Sequence, residues 1–183
     1  MERGELEAAV TVISAILGNL ELVFIIVAIL TTIYKLRRAK AHHTVITASY
    51  TLWGELIFYA IGFGFLWAFV FHAFVQQIAA TSIGWKPSPF EWELAWAELG
   101  IAFVALLSLA RGYELRLAVT LIVAIFSFGA AAQHIQQILC CQNYAPGNAG
   151  LILWVNDIAL PVVLLFLAYS SRDAYERMVR TPH

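Results

Sequence analysis

Four side chains of this 183-residue chain carry groups that could do chemistry in an apolar setting: His72, Glu98, His134 and Asp157. Each lies inside a long apolar run. An ionisable group there costs several kcal/mol and faces a bundle interior or a cavity. Counted from the end of its own run at 1.5 Å per helical residue, each sits on the order of 9–14 Å deep. The four therefore fall at one level. Gln76, Gln77, Gln133, Gln136, Gln137 and Asn156 surround them. Helical periodicity puts His72 and Gln76 on one face, and likewise His134 and Gln137. Glu91 and Glu98 share a face as well.

This set predicts a pocket for a small or lipid-like ligand, bound through His72, Gln76, Glu98, His134, Gln137, Asn156 and Asp157. Three other readings stand beside it. His72, Glu98, His134 and Asp157 could ligate a divalent transition metal, with the glutamines as hydrogen-bond partners of the ligands. Their spacing matches no known metal signature. The same groups suit acid–base chemistry on a lipid-soluble substrate, which would make the chain a membrane-embedded enzyme. They also suit plain interhelical hydrogen bonding with no ligand at all.

Other polar residues add to this pattern. Glu21, with Asn19 beside it, and Glu55, with Tyr59 one turn on, are further intramembrane acids. A proton relay from Glu55 through Glu21 to the outer group competes with simple packing. On a straight helix Glu55 points about 100° away from His72. The adjacent Cys140 and Cys141 are expected as two free thiols, because a disulfide between neighbours is strained. In the loop 143–150, Pro146-Gly147 is a turn signal and Asn148 is expected to cap the next helix. Pro161, four residues after Asp157, is expected to kink its helix.

The elements that position these groups follow from composition. Hydrophobic residues make up 61% of the chain and charged ones 13%, against an ordinary 45–50% and about 25%. A net charge of −1 leaves no basic face for nucleic acid. The class is an all-α integral membrane bundle, read as one membrane domain over residues 1–183. Five stretches are long enough to span: residues 8–34, 44–80, 90–110, 115–139 and 149–170. The second would be about 55 Å long as one helix. It is expected to kink near Gly62 and Gly64.

With five spans, nine of the eleven basic residues fall on one side: Lys35, Arg37, Arg38, Lys40, Arg111, Arg116, Arg172, Arg177 and Arg180. Only Arg3 and Lys86 fall on the other. That bias predicts an N-terminus outside and a C-terminus in the cytoplasm. The acidic first residues argue against a cleavable signal peptide. Trp85, Trp92, Trp96, Trp154 and Tyr144 are expected as an outer aromatic belt, and Tyr34, Tyr50, Trp53 and Tyr113 as inner anchors. Membrane lipids are the expected partners, and the basic run that includes His42 and His43 should meet anionic headgroups.

A weak tandem repeat links the two His-containing halves. His72, Gln76-Gln77, a Pro-containing loop and Glu98 parallel His134, Gln136-Gln137, a Pro/Gly loop and Asp157. The second Gln of each pair precedes its acid by 21 residues in one copy and 20 in the other. Two such hairpins could rock as the halves of a small proton- or ion-coupled transporter, which at this length requires a homo-oligomer. An accessory subunit is a further alternative.

The run Gln136-Gln137, then Asn143-Tyr-Ala-Pro-Gly-Asn-Ala-Gly150, then Asp157 and Pro161, resembles a family of small bacterial membrane proteins of unknown function, over residues 50–170. The resemblance implies a bacterial inner membrane and supplies no activity. The helix count, the tryptophans and the His/Glu/Asn/Trp set are also similar to sterol-isomerase-like and translocator-protein-like bundles. No diagnostic motif of either is present, and Gln76 stands where isomerase chemistry would need an acid.

Overall fold

The computed structural model describes residues 19–180, with side chains through residue 176. The start of the first expected span, Arg3, and the side chains of Arg177 and Arg180 lie outside the described residues. Among the described residues there is helix and loop and no strand. Helix α1 is Leu20–Ala41, α2 is Ala48–Phe74, α3 is the short Gln76–Ser82, α4 is Phe90–Ser108 and α5 is Tyr113–Cys141. Helix α6 opens with the turn Pro146–Ala149, passes through Ile152–Ala159 and continues as Leu160–Arg180.

Three of these are long and apolar enough to cross a membrane: α2, α5, and α6 over Pro146–Glu176. Helix α4 reaches 19 residues but carries Glu91, Glu93 and Glu98. Helix α1 ends in the basic cluster Lys35, Arg37, Arg38 and Lys40.

Helix α2 packs along α1 and α4, its first turns lie on α6, and α5 packs on α4 and α6. Trp53, Ile57, Ile61, Val123 and Leu164 fill the core where these helices meet. Trp53 is fully buried, and its Nε1–H donates to Thr120 Oγ1 at 3.0 Å. It is therefore a core residue, not the interfacial anchor its position suggested. A buried indole N–H needs an acceptor, and Thr120 on α5 supplies it.

Both long broken helices contain π-helical turns, Leu56–Phe63 in α2 and Ile152–Ala159 in α6. The first ends at Gly64, near the expected kink. A Cβ on Gly62 would lie 2.5 Å from Leu106 Cδ2, so the missing side chain lets α2 approach α4. The second runs up to Pro161, whose ring has no N–H and clashes with the carbonyl four residues back. A wider turn relieves that clash. Helix α2 then breaks at Val75, so residues 44–80 do not form one continuous helix.

At the far end of α5, Gln142 turns into the left-handed region at φ 51° and the helix stops. Cys140 and Cys141 are joined there, which corrects the expectation of free thiols. Both are exposed in the last turn, where the helix ends at Gln142.

Candidate functional site

The four ionisable groups singled out from the sequence form two pairs, one in each half of the proposed repeat. His72 on α2 meets Glu98 on α4, with Nδ1 2.8 Å from Oε2. Glu98 is nearly fully buried and His72 about a quarter exposed. Glu91, two turns before Glu98 on the same face, is close enough for its charge to act on His72. In the other half, His134 on α5 faces Asp157 in the π-helical turns of α6, with Nε2 3.7 Å from Oδ2. Both are buried. Glu21, in the first described turn of α1, reaches Asp157 electrostatically.

Asn148 determines how His134 is used. It is fully buried, and its amide nitrogen donates to Asn143 O at 2.9 Å and to His134 O at 3.3 Å. Its carbonyl oxygen is left to accept, and it lies 2.8 Å from His134 Nδ1. This network assigns the amide orientation and makes Nδ1–H the donor. Asn148 is thus committed to His134 and does not cap a helix. The N-cap is Ala145, with Pro146 as the first helical residue. With Nδ1 donating, the Nε2 of a neutral His134 presents a lone pair to Asp157 Oδ2. Two acceptors then face each other across a gap too long for a direct hydrogen bond. Only an added proton or a donor group bridging them makes that arrangement favourable. Asp157 Oδ2 is buried without a protein hydrogen-bond partner.

The loop after α3 closes over this pair. Trp85 packs on the His134 ring with centroids 5.8 Å apart, and its Nε1 is buried without a protein partner. Trp85 is therefore half-buried against the site and is not a simple belt residue. Asn143 Nδ2 donates to Ile83 O at 2.8 Å, and a Cβ on Gly147 would lie 2.7 Å from Ser82 O. The two hairpin loops thus interlock backbone to backbone. Asn156 Oδ1, next to Asp157, is a further buried acceptor without a partner. Gln76 and Gln137 are half-buried; Gln77, Gln133 and Gln136 are exposed.

Among the described residues, no three His, Cys, Asp or Glu side chains gather as a metal-binding group. His72, Glu98, His134 and Asp157 do not converge on one ion, which corrects the four-ligand reading. Glu98 is spent on His72, while Nδ1 of His134 is spent on Asn148. The sequence reasoning missed Asn148, Asn143 and Trp85 as parts of the site. The near-equal Gln-to-acid spacing of the two halves, 21 residues and 20, was the signal that the pairing is two-fold. Glu55 does stand apart from the outer groups, bonded to Lys35 at 2.5 Å.

No curated protein and no solved structure matches the chain. A family model matches residues 18–177, and on that match the chain belongs to DUF6790, a family of unknown function.

Proposed function

We propose that this chain is a five-crossing inner-membrane protein that binds a small or lipid-like ligand in the outer half of its bundle, at the His134–Asp157 pair. The observation that carries the reading is the buried, unpartnered Asp157 Oδ2 facing His134 Nε2 across 3.7 Å. A buried acceptor left unmet costs about 1–3 kcal/mol, so a donor from a ligand is worth that much there. An amine or ammonium group, with two or more N–H donors, satisfies both acceptors at once, and a hydroxyl donates to one of them. The unpartnered Trp85 Nε1–H and Asn156 Oδ1 offer complementary contacts to such a molecule. The His72–Glu98 pair has its hydrogen bond already, so its role in this reading is to join α2 to α4.

Five crossings alternate the basic connections onto one side. Exposed apolar residues support crossings by α1 and α4 as well as the three longer helices: Leu30, Phe103, Ile125 and Phe166, on four different helices, are 59%, 64%, 76% and 66% exposed. Lipid is the solvent that such side chains fit.

The ligand reading is tested by purifying the wild type and Asp157→Asn in parallel and quantifying small organic molecules extracted from each by mass spectrometry. A hydroxyl- or amine-bearing compound should be near-stoichiometric in the wild type and at least about fivefold depleted in the variant, the change expected for about 1 kcal/mol. If no compound is enriched in the wild type over Asp157→Asn, the site has no ligand and the reading fails.

A further inference from the structure

At the opposite end of the bundle lies a cavity of about 640 Å³ between the end of α1, the start of α2 and the start of α5. Its charged lining is Lys35, Arg38, Glu55 and Arg116, joined by His42 and Tyr50. Three fixed cations thus face one carboxylate. Glu55 is already engaged by Lys35, which leaves Arg38 and Arg116 without a matching negative charge.

Arg116 is the unusual member. It is 7% exposed, and among the described residues it makes no ion pair. Its three hydrogen bonds all go to backbone carbonyls, of Ser108, Tyr50 and Leu109. The guanidinium also lies 4.4 Å from the centre of the Tyr50 ring. Carbonyls and a ring face orient a guanidinium but do not cancel its charge. It has five N–H donors, so two remain unspent. A buried cation without a counter-charge is costly unless an anion comes to it. Gly54 keeps the approach open, because a Cβ there would fall 2.8 Å from Arg116 Nη1.

We infer that this cavity is an anion site for a phosphate group, with Arg116 as its buried anchor and Arg38 as its rim cation. A planar guanidinium with paired free N–H groups matches phosphate oxygens, and a second cation at the rim adds charge. The phosphate has two sources, the headgroup of an anionic lipid and free inorganic phosphate. The site shares no residue with the His134–Asp157 pair, so either proposal can fail alone.

The test uses the full chain, delipidated in detergent. Native mass spectrometry compares retention of phosphatidylglycerol with that of phosphatidylcholine, and a parallel thermal melt titrates inorganic phosphate. Preferential retention of phosphatidylglycerol identifies a lipid headgroup site. A rise in the melting midpoint with phosphate identifies a soluble anion. Arg116→Gln should abolish whichever response is seen. Arg38→Gln removes only an exposed charge and should weaken the response about fivefold without unfolding the protein. The inference is overturned if there is neither a preference for phosphatidylglycerol nor a phosphate-dependent rise, or if Arg38→Gln responds like the wild type.

Discussion

Asn148 holds three groups with one side chain: the ring nitrogen of His134, the carbonyl of His134 and the carbonyl of Asn143. Its loss takes a hydrogen-bond partner from all three, two of them on the buried His134. Asn148→Ala should therefore lower unfolding stability by about 2–4 kcal/mol, read from denaturant or thermal unfolding in detergent. Asn148→Asp can still accept from His134 Nδ1 but cannot donate to the two carbonyls, so it should be destabilised as well. Stability like that of the wild type in both variants would mean that Asn148 does not hold His134. At this scale the sequence was read half correctly. His72, Glu98, His134 and Asp157 stood out because a charge in an apolar run is rare. Asn148 did not, because Asn next to Pro-Gly is an ordinary cap signal and its partner lies 14 residues back. Arg116 was counted as a topology charge, and only the packing of α2 and α5 shows that it is buried.

At the scale of elements, the helix positions were legible from hydropathy and their internal breaks only in part. Gly62-Phe-Gly64 and Pro161 marked where α2 and α6 depart from regular helix, but periodicity averages over a widened turn and cannot report it. The π-helical turns set the rotation of the side chains beyond them. In α6 they carry Asp157 itself, and in α2 they precede the segment with His72. The close approach at Gly62 holds α2 against α4 near that point. A methyl group there overlaps Leu106, whereas one on Gly64 meets nothing within 4 Å. Gly62→Ala should destabilise the protein by about 1–2 kcal/mol through overpacking. Gly64→Ala should be neutral or stabilising by up to about 1 kcal/mol, from helix propensity alone. Melting midpoints of the two single variants in the same detergent check the contrast. Equal midpoints would remove Gly62 as the point of closest packing.

For the whole molecule, the decisive question is whether α1 and α4 cross the membrane with α2, α5 and α6. Charge asymmetry argues that they do. Crossing by all five gathers Lys35 to Lys40, Arg111, Arg116 and Arg172 on one side, and leaves Lys86 on the other. With five crossings, the interlocked loops that carry Trp85 and Asn143 and the joined Cys140 and Cys141 share the side opposite the basic connections. The three glutamates of α4 set it apart from the three longer, more apolar helices. Yet Glu98 is hydrogen-bonded to His72, and Glu91 and Glu93 lie in the first turn. Single cysteines in a Cys140→Ser/Cys141→Ser background separate the alternatives. With five crossings, Lys86→Cys and Tyr144→Cys should react with a membrane-impermeant maleimide on intact cells. Val45→Cys, at a position 95% exposed, and Ala110→Cys should react only after permeabilisation. Ala110 is the informative position. If α4 lies on the surface and does not cross, residue 110 shares the side of residue 86 and labels with it, and the five-crossing arrangement is wrong.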